Sequence, residues 1–337
     1  MTQNQRIDAF VALGDFLRSM PQPLVDVMEK AATKNPWYTL ENTKKQFAAI
    51  SQNLTTDKLE SWLDGHSMAD NSKKVGLILA GNIPLVGFHD ILSVLIAGFV
   101  AQIKVSSDDA GLTPFILSSL IALEPAFKAK IELVERLQDF DLIIATGSDN
   151  SSRYFDYYFG KKPNIIRKNR NSVAILTGNE SPSELMALGH DIFDFFGLGC
   201  RSVSKVYFPK GYNIAHFFEG IEAHNEISNH YKFANNYDYN KSIYLINGDK
   251  HFDNGFLLLK EDERFTSPLA VVFYEEYADL DTLVAKLDAH KDKIQCLLTE
   301  ATISSAIPTF HLGESQSPAL TDYADGVDTL AFLRQQA

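Results

Sequence analysis

Cys200 stands in FFGLGCRSVSKVYF, behind glycines at 197 and 199 and ahead of Arg201, Ser202 and Ser204. A cysteine that only packs in a strand has apolar neighbours on both sides, as Cys296 has in KIQCLL. Cys200 lacks them. Glycines let backbone approach a substrate closely, and a nearby cation or backbone N–H favours the thiolate, which is the reactive form. The loop therefore suits attack on a carbonyl, although an inert turn cysteine can have the same local sequence.

Taken singly, the other candidates have plain structural readings. Asn82 after a strand is a turn residue that bonds its own backbone. Lys104 at a strand end is a solvated charge, and Gly147-Ser148 is a strand-to-helix turn with a capping serine. Glu263 lies in the charged run KEDER, whose side chains face water. His89 and His190 fall in helical patterns and read as packed or hydrogen-bonded. No cluster has zinc-ligand spacing, and neither a GxSxG elbow nor a GxxxxGK[ST] loop occurs, so metal, serine hydrolase and P-loop chemistries have no support.

These residues need elements to hold them. Residues 1 to about 72 read as helices with polar breaks: RIDAFVALGDFLRSM spaces apolar positions three and four apart, and NPWYTLENTKKQFAAISQNL repeats the pattern. From Val75 short apolar strands alternate with helical stretches: VGLILA, a Gly-Asn-Ile-Pro turn, the helix-like LVGFHDILSVLIAG, VAQIKV, a helix from about Leu112 to Leu123, and DLIIAT. Such repetition predicts a parallel sheet, because a crossover helix brings the next strand alongside in parallel. Ligands sit at the carboxyl ends of such strands, where Gly81-Asn82, Lys104 to Ser107 and Gly147-Ser148 fall.

A second run begins at SVAILTG and continues through SPSELMALGHDIFDFF, VSKVYF, the strand-like SIYLI and FLLL, AVVFY and IQCLL. Residues 1–171 are thus expected to form a helical layer and a first α/β domain, 172–306 a second α/β domain, and 307–337 a C-terminal segment of loop and helix. GKKPNIIRKNRN, rich in Lys, Arg and Asn, reads as the connector. The aromatic-rich YFDYYFG and HYKFANNYDYN suit buried core or subunit contact better than an acyl or CoA channel.

The 337 residues, 45% hydrophobic and 22% charged, suffice for two domains with their own cores. The 43 acidic and 31 basic side chains leave a formal charge of -12, which repels nucleic acid and anionic lipid headgroups. No secretory signal pattern opens the chain and no apolar run is long enough for stable membrane insertion, so a cytoplasmic location with two free thiols is expected.

Several segments together, in order, resemble the aldehyde dehydrogenase superfamily. AGNIPLVGFHDILSVLIAGFVAQIKVSSDD is similar to its segment of oxyanion asparagine, helix, strand and cofactor-contacting lysine. ATGS resembles its glycine-serine turn, GLGC its nucleophile loop, and Glu263-Arg264-Phe265 its Glu-x-Phe element near the nicotinamide ribose. GNIPLVGFHD, FGLGCRSVSK and LTDYADGVDTL carry a closer resemblance to the LuxC-like acyl-CoA reductases, from about Val75 to the C-terminus.

The resemblance implies an α/β, aldehyde dehydrogenase-like fold, with a Rossmann-like cofactor domain, an α/β catalytic domain and a helical N-terminal segment. It assigns catalysis to Cys200 and Asn82 and cofactor binding to Lys104, Ser106, Ser107, Gly147, Ser148 and Glu263. The Cys200 thiolate would attack a thioester, with the Asn82 amide and the Cys200 N–H holding the oxyanion. Aldehyde-oxidising relatives carry a water-activating glutamate in an ELGG-like segment. Arg167-Lys168-Asn169-Arg170 stands there, so hydrolysis of the acyl-enzyme should be slow. NAD-selecting members often place a glutamate three residues after the lysine. Ser107 in that position favours NADPH, with NADH as a second cofactor.

The expected reaction is reduction of a fatty acyl-CoA, or of an acyl group from an acyl-enzyme donor, to the aldehyde. The alternatives are a CoA-acylating dehydrogenase for short or specialised aldehydes, a cysteine-dependent thioesterase, and a non-catalytic acyl- or nucleotide-binding subunit. A homodimer is the superfamily's expectation.

Overall fold

The computed structural model describes residues 1–64, 68–147 and 149–337, with the backbone alone at 149–151. The chain divides into two compact units, residues 1–169 with 319–337, and residues 170–318. The first opens with helices α1 (Gln3–Ser19), α2 (Gln22–Lys34), α3 (Leu40–Asn53) and α4 (Thr56–Leu63). Thr2 and Gln5 form a reciprocal capping box that satisfies amide groups left over at the start of α1. Phe10, Leu13 and Leu17, at helical spacing on α1, are fully buried.

Strands and helices then alternate: β1 (Lys74–Ile78), α5 (Phe88–Ile96), β2 (Val100–Lys104), α6 (Leu112–Leu123), β3 (Ile131–Leu133), β4 (Leu142–Thr146), α7 (Asp149–Phe159) and β5 (Asn164–Arg167). The five strands are parallel in the order β3-β2-β1-β4-β5. Successive residues of β1, β2 and β4 are buried, and since alternate side chains face opposite ways, both faces of the sheet are covered. The strand order reverses between β1 and β4, the place where a parallel sheet opens a crevice at its carboxyl edge.

The second unit runs β6 (Asn171–Ile175), α8 (Pro182–Phe193), β7 (Val203–Pro209), α9 (Ile214–Ile221), α10 (Tyr231–Asn247), β8 (Phe252–Asp253), β9 (Leu258–Glu261), β10 (Val271–Tyr277), α11 (Leu280–Asp288), β11 (Ile294–Leu298) and β12 (Thr309–Phe310). Its sheet has the order β12-β11-β6-β7-β10-β9-β8, parallel except for β8 against β9. Ser181 and Glu184 form a second capping box, with proline in the first turn of α8 where no amide donor is lost.

The last helix, α12 (Thr329–Gln336), returns to the first unit. Its Leu330 and Leu333 are fully buried, Trp62 donates to the Tyr323 hydroxyl at 2.8 Å, and Arg167 forms an ion pair with Asp90 while reaching Thr329 Oγ1 at 3.2 Å.

Three sequence-based expectations change. GKKPNIIRKNRN is not simply a connector: NIIR forms edge strand β5, and the division between units falls after Asn169. SIYLI is the end of α10 rather than a strand, because Phe233, Tyr237, Asn240 and Tyr244 give that stretch one buried helical face and leave Leu245 and Ile246 exposed. The segment 307–337 is divided, 307–318 belonging to the second unit and 319–337 to the first. Among the described residues no helix is long and apolar enough to cross a membrane, and no group of three or more His, Cys, Asp or Glu is placed to hold a metal ion.

Candidate active site

In the first unit the candidates collect at the carboxyl ends of three adjacent strands. Asn82 is exposed in the turn that leaves β1, and Leu85 in the same turn takes a left-handed backbone, φ 50°. The fully buried Tyr38 holds this turn, its hydroxyl lying 2.9 Å from the Gly81 carbonyl and 3.2 Å from that of Ile83. Burial raises the phenol's pKa, so it remains a donor.

Lys104 ends β2 with its side chain exposed, while its carbonyl accepts from Leu79 at 3.1 Å. Ser106 is half-buried and accepts from the Asp108 amide, capping a short 3-10 turn, and Ser107 is exposed. Asn35 of the helical layer donates to the Asp108 carbonyl at 2.9 Å. A Cβ at Gly81 would fall 2.6 Å from Ser106 Oγ, so the exits of β1 and β2 touch there and only glycine fits without displacement. Gly147 is half-buried just after β4, and Ser148 lies outside the described residues.

In the second unit Cys200 is half-buried in a turn closed by the Ser202 amide on the Gly199 carbonyl at 3.0 Å, immediately before β7. Three left-handed residues precede it, Phe195 (φ 54°), Phe196 (φ 59°) and Gly197 (φ 74°). The Ser172 hydroxyl lies 3.0 Å from the Cys200 carbonyl and 3.0 Å from Cys296 Sγ. Burial pushes the Cys296 thiol up to about 11, which keeps it protonated and unreactive at neutral pH. Of the two cysteines, Cys200 has the access a nucleophile requires.

Glu263 is exposed in the turn between β9 and β10. That turn is tied to β7 by Ser204, which donates to the Phe265 carbonyl at 2.6 Å, and to the start of β6 by Asn171 and Thr266, 2.7 Å apart. The wholly buried Lys205 is paired with Glu275 and bonds the Asp262 carbonyl at 2.8 Å.

His89 and His190 have structural contacts. His89 Nε2 lies 2.9 Å from the Leu320 carbonyl with its ring beside Trp62 and Tyr323, and His190 contacts Asp194 and the His224 ring. In Arg167-Lys168-Asn169-Arg170, Arg167 is committed to its buried pair with Asp90. YFDYYFG lies on α7, with Tyr154, Tyr157 and Tyr158 exposed.

Four supporting residues escaped the sequence reading. Asn35 precedes proline, a turn signal, but nothing local joins it or Tyr38 to the loops after β1 and β2. Ser172 opens an apolar strand, and Asp191 sits among apolar residues of α8. The latter carboxylate is fully buried and accepts from the Gly313 amide at 2.5 Å and from the Ser315 amide and hydroxyl at 3.0 and 2.6 Å.

Residues 52–217 match the family acyl-CoA reductase (LuxC). No curated protein matches the sequence. Solved structures similar to the chain include aldehyde dehydrogenase 21 from Physcomitrella patens in complex with succinate, at 12% identity and TM-score 0.66, covering 99% of this chain and 84% of that one. A Mycobacterium tuberculosis aldehyde dehydrogenase complexed with NAD+ matches at 13% identity and TM-score 0.66, over 93% and 78%. An acetylating aldehyde dehydrogenase from Geobacillus thermoglucosidasius matches at 10% identity and TM-score 0.65, over 95% and 84%. The α/β fold with its helical N-terminus is the aldehyde dehydrogenase fold, and residues 52–217 within it are similar to the LuxC acyl-CoA reductases.

Proposed function

We propose that the protein reduces an acyl-CoA thioester to an aldehyde with NADPH, the acyl group being carried on Cys200. The observation that carries this reading is the Cys200 turn within a LuxC match: a half-buried thiol behind two glycines, its backbone fixed by Ser172, while the other cysteine is sealed in the core.

The first unit fits a nicotinamide dinucleotide. Its strand order reverses between β1 and β4, Gly81 lets two loops meet closely, and Lys104 and Ser107 are exposed at the β2 exit with no carboxylate at 107 to repel a 2'-phosphate. Lys104 would pair with that phosphate, Ser106, Ser107, Gly147 and Ser148 would line its course, and Glu263 would hold the nicotinamide ribose. Bound NADPH supplies the hydride that turns the Cys200-held acyl group into an aldehyde.

The chain's own residues do the acyl transfer. The Cys200 thiolate bonds to the thioester carbon, the CoA sulfur leaves and takes a proton, and the Asn82 amide and Cys200 N–H hold the negative oxygen between these events. With Arg167 locked to Asp90 and no carboxylate among residues 167–170, that segment supplies no base for water attack.

The test follows NADPH and NADH consumption by absorbance with acyl-CoAs of graded length, and identifies the carbonyl product. Aldehyde formed by the wild type and not by Cys200→Ala is the expected result. Free acid without cofactor consumption would indicate a thioesterase, and a folded protein that binds NADPH but turns over no donor would overturn the enzyme reading.

A further inference from the structure

Within the second unit, the turn that carries Cys200 is flanked by two residues bound to one distant segment. Cys200 stands between Asp191, in the last turn of α8, and Ser202, immediately before β7, and the stretch joining them includes the left-handed Phe195, Phe196 and Gly197. Residues 310–316 bridge these two points. At one end the Asp191 carboxylate accepts from the Gly313 amide at 2.5 Å and from the Ser315 amide and hydroxyl at 3.0 and 2.6 Å. At the other, Gln316 Nε2 donates to Ser202 Oγ at 3.4 Å, and the Arg201 guanidinium lies 5.5 Å from the centre of the Phe310 ring.

The bridge is itself anchored. Gly313 has φ 92°, and a Cβ there would fall 2.8 Å from that of Ala187, so glycine is what lets the segment lie against α8. On its other side Glu300, just beyond β11, accepts from the Leu312 amide at 2.9 Å and contacts His311 Nδ1 at 2.8 Å. Asp191 is fully buried on a helix face that also carries Leu185, Leu188 and Ile192. An apolar side chain would pack there at lower cost, but it could not accept from three donors of a separate segment.

We infer that Asp191 is a positioning residue for Cys200: by fixing residues 310–316 it braces the turn on both sides of the nucleophile and keeps the thiol and the Cys200 N–H aligned for acyl transfer. The inference rests on Cys200 being the acyl carrier. Left-handed backbone at Phe195 and Phe196 persists only where surrounding contacts impose it, and a misplacement of about 1 Å at the reacting atoms can cost on the order of a hundredfold in rate. The brace governs the geometry of attack rather than the uptake of the thioester.

The test needs no cofactor. Full-length wild type, Asp191→Asn, Gln316→Ala and the double variant are mixed with acetyl-, octanoyl- or palmitoyl-CoA at about pH 8, where the Asp191 carboxylate is ionised. The rate at which Cys200 gains the acyl mass is followed by peptide mass spectrometry. Asparagine keeps one acceptor oxygen but turns an NH2 group toward a donor, so part of the hold on residues 313–315 is lost. Thermal melting checks that each variant is folded, and if Asp191→Asn is not, Ser315→Ala, which removes only the hydroxyl donor, takes its place. Each single variant should lower the maximal acylation rate about tenfold with little change in the half-saturating acyl-CoA concentration. The double variant should be no slower than the slower single one, because both changes break the same brace. Alkylation of Cys200 by iodoacetamide, which forms no oxyanion, should stay within about twofold of the wild type.

Acylation at the wild-type rate in the folded variants, or losses that multiply as if the two residues acted separately, would overturn the inference, leaving Asp191 a stabilising residue and the reductase reading standing. Absence of acylation in the wild type with all three thioesters, while iodoacetamide still modifies Cys200, would overturn both.

Discussion

Asp191 carries a cost that its hydrogen bonds only partly offset. It is fully buried, and burial raises its pKa from 3.8 to about 6 even though Gly313 and Ser315 donate to the carboxylate. The folded state therefore binds this proton more tightly than the unfolded state. The stability this contributes is complete below about pH 4 and is lost as pH rises through about 6, a change on the order of 3 kcal/mol. Asp191→Asn is neutral throughout, so urea unfolding of both proteins should show the wild type losing ground to the variant as pH rises from 4 to 7. A constant difference would mean that the carboxylate titrates normally. Cys200 was legible in the sequence because polar and glycine neighbours set it apart from Cys296. Asp191 was not, since its donors lie more than a hundred residues further along the chain.

At the scale of elements, the helical N-terminal layer does more than cover the sheet. Tyr38 and Asn35 reach the loops that leave β1 and β2, which carry Asn82, Ser106 and Ser107. Tyr38→Phe keeps the ring and removes the donor, leaving the Gly81 carbonyl without this partner, at a cost of about 1 kcal/mol. Urea unfolding should register that loss. If Asn82 holds the oxyanion, single-turnover acylation of Cys200 should also slow, with little change in the acyl-CoA concentration that half-saturates it. A slower rate with unchanged stability would place the role of Tyr38 elsewhere. The strands β1, β2, β4, β6, β7, β10 and β11 were readable as apolar runs because both faces of a parallel sheet are buried. SIYLI misled for the same reason: a short apolar run has no period of its own, and the helix is defined only by the aromatic spacing that begins eleven residues earlier. NIIR was obscured by the charges around it, although Arg167 is drawn inward by Asp90.

At the scale of the whole chain, the two units are unequal in continuity. The second is one unbroken stretch, 170–318, whereas the first is completed by residues 319–337 from the far end of the sequence. That tail is bound by complementary contacts: Leu320, Leu330 and Leu333 are buried in the first unit's core, Tyr323 accepts from Trp62, and Thr329 accepts from Arg167 beside Asp90. The resemblance in LTDYADGVDTL thus coincides with a structural closure, which the sequence had suggested only as a terminal loop and helix. Deleting 319–337 would take three buried leucines out of the first unit's core and expose the apolar surface they cover, remove a polar partner from each of Trp62 and Arg167, and leave the Arg167–Asp90 pair open to water. Losses of several kcal/mol follow, a large fraction of an ordinary domain's stability. Limited proteolysis of the deletion variant should therefore open new cleavage sites within 1–169 while 170–318 remains a protected fragment, because the second unit has its own continuous sheet and core. Cleavage spreading equally through both stretches would show that the second unit cannot hold its fold once the first is loosened. Unchanged resistance throughout would mean that the tail's contacts contribute little.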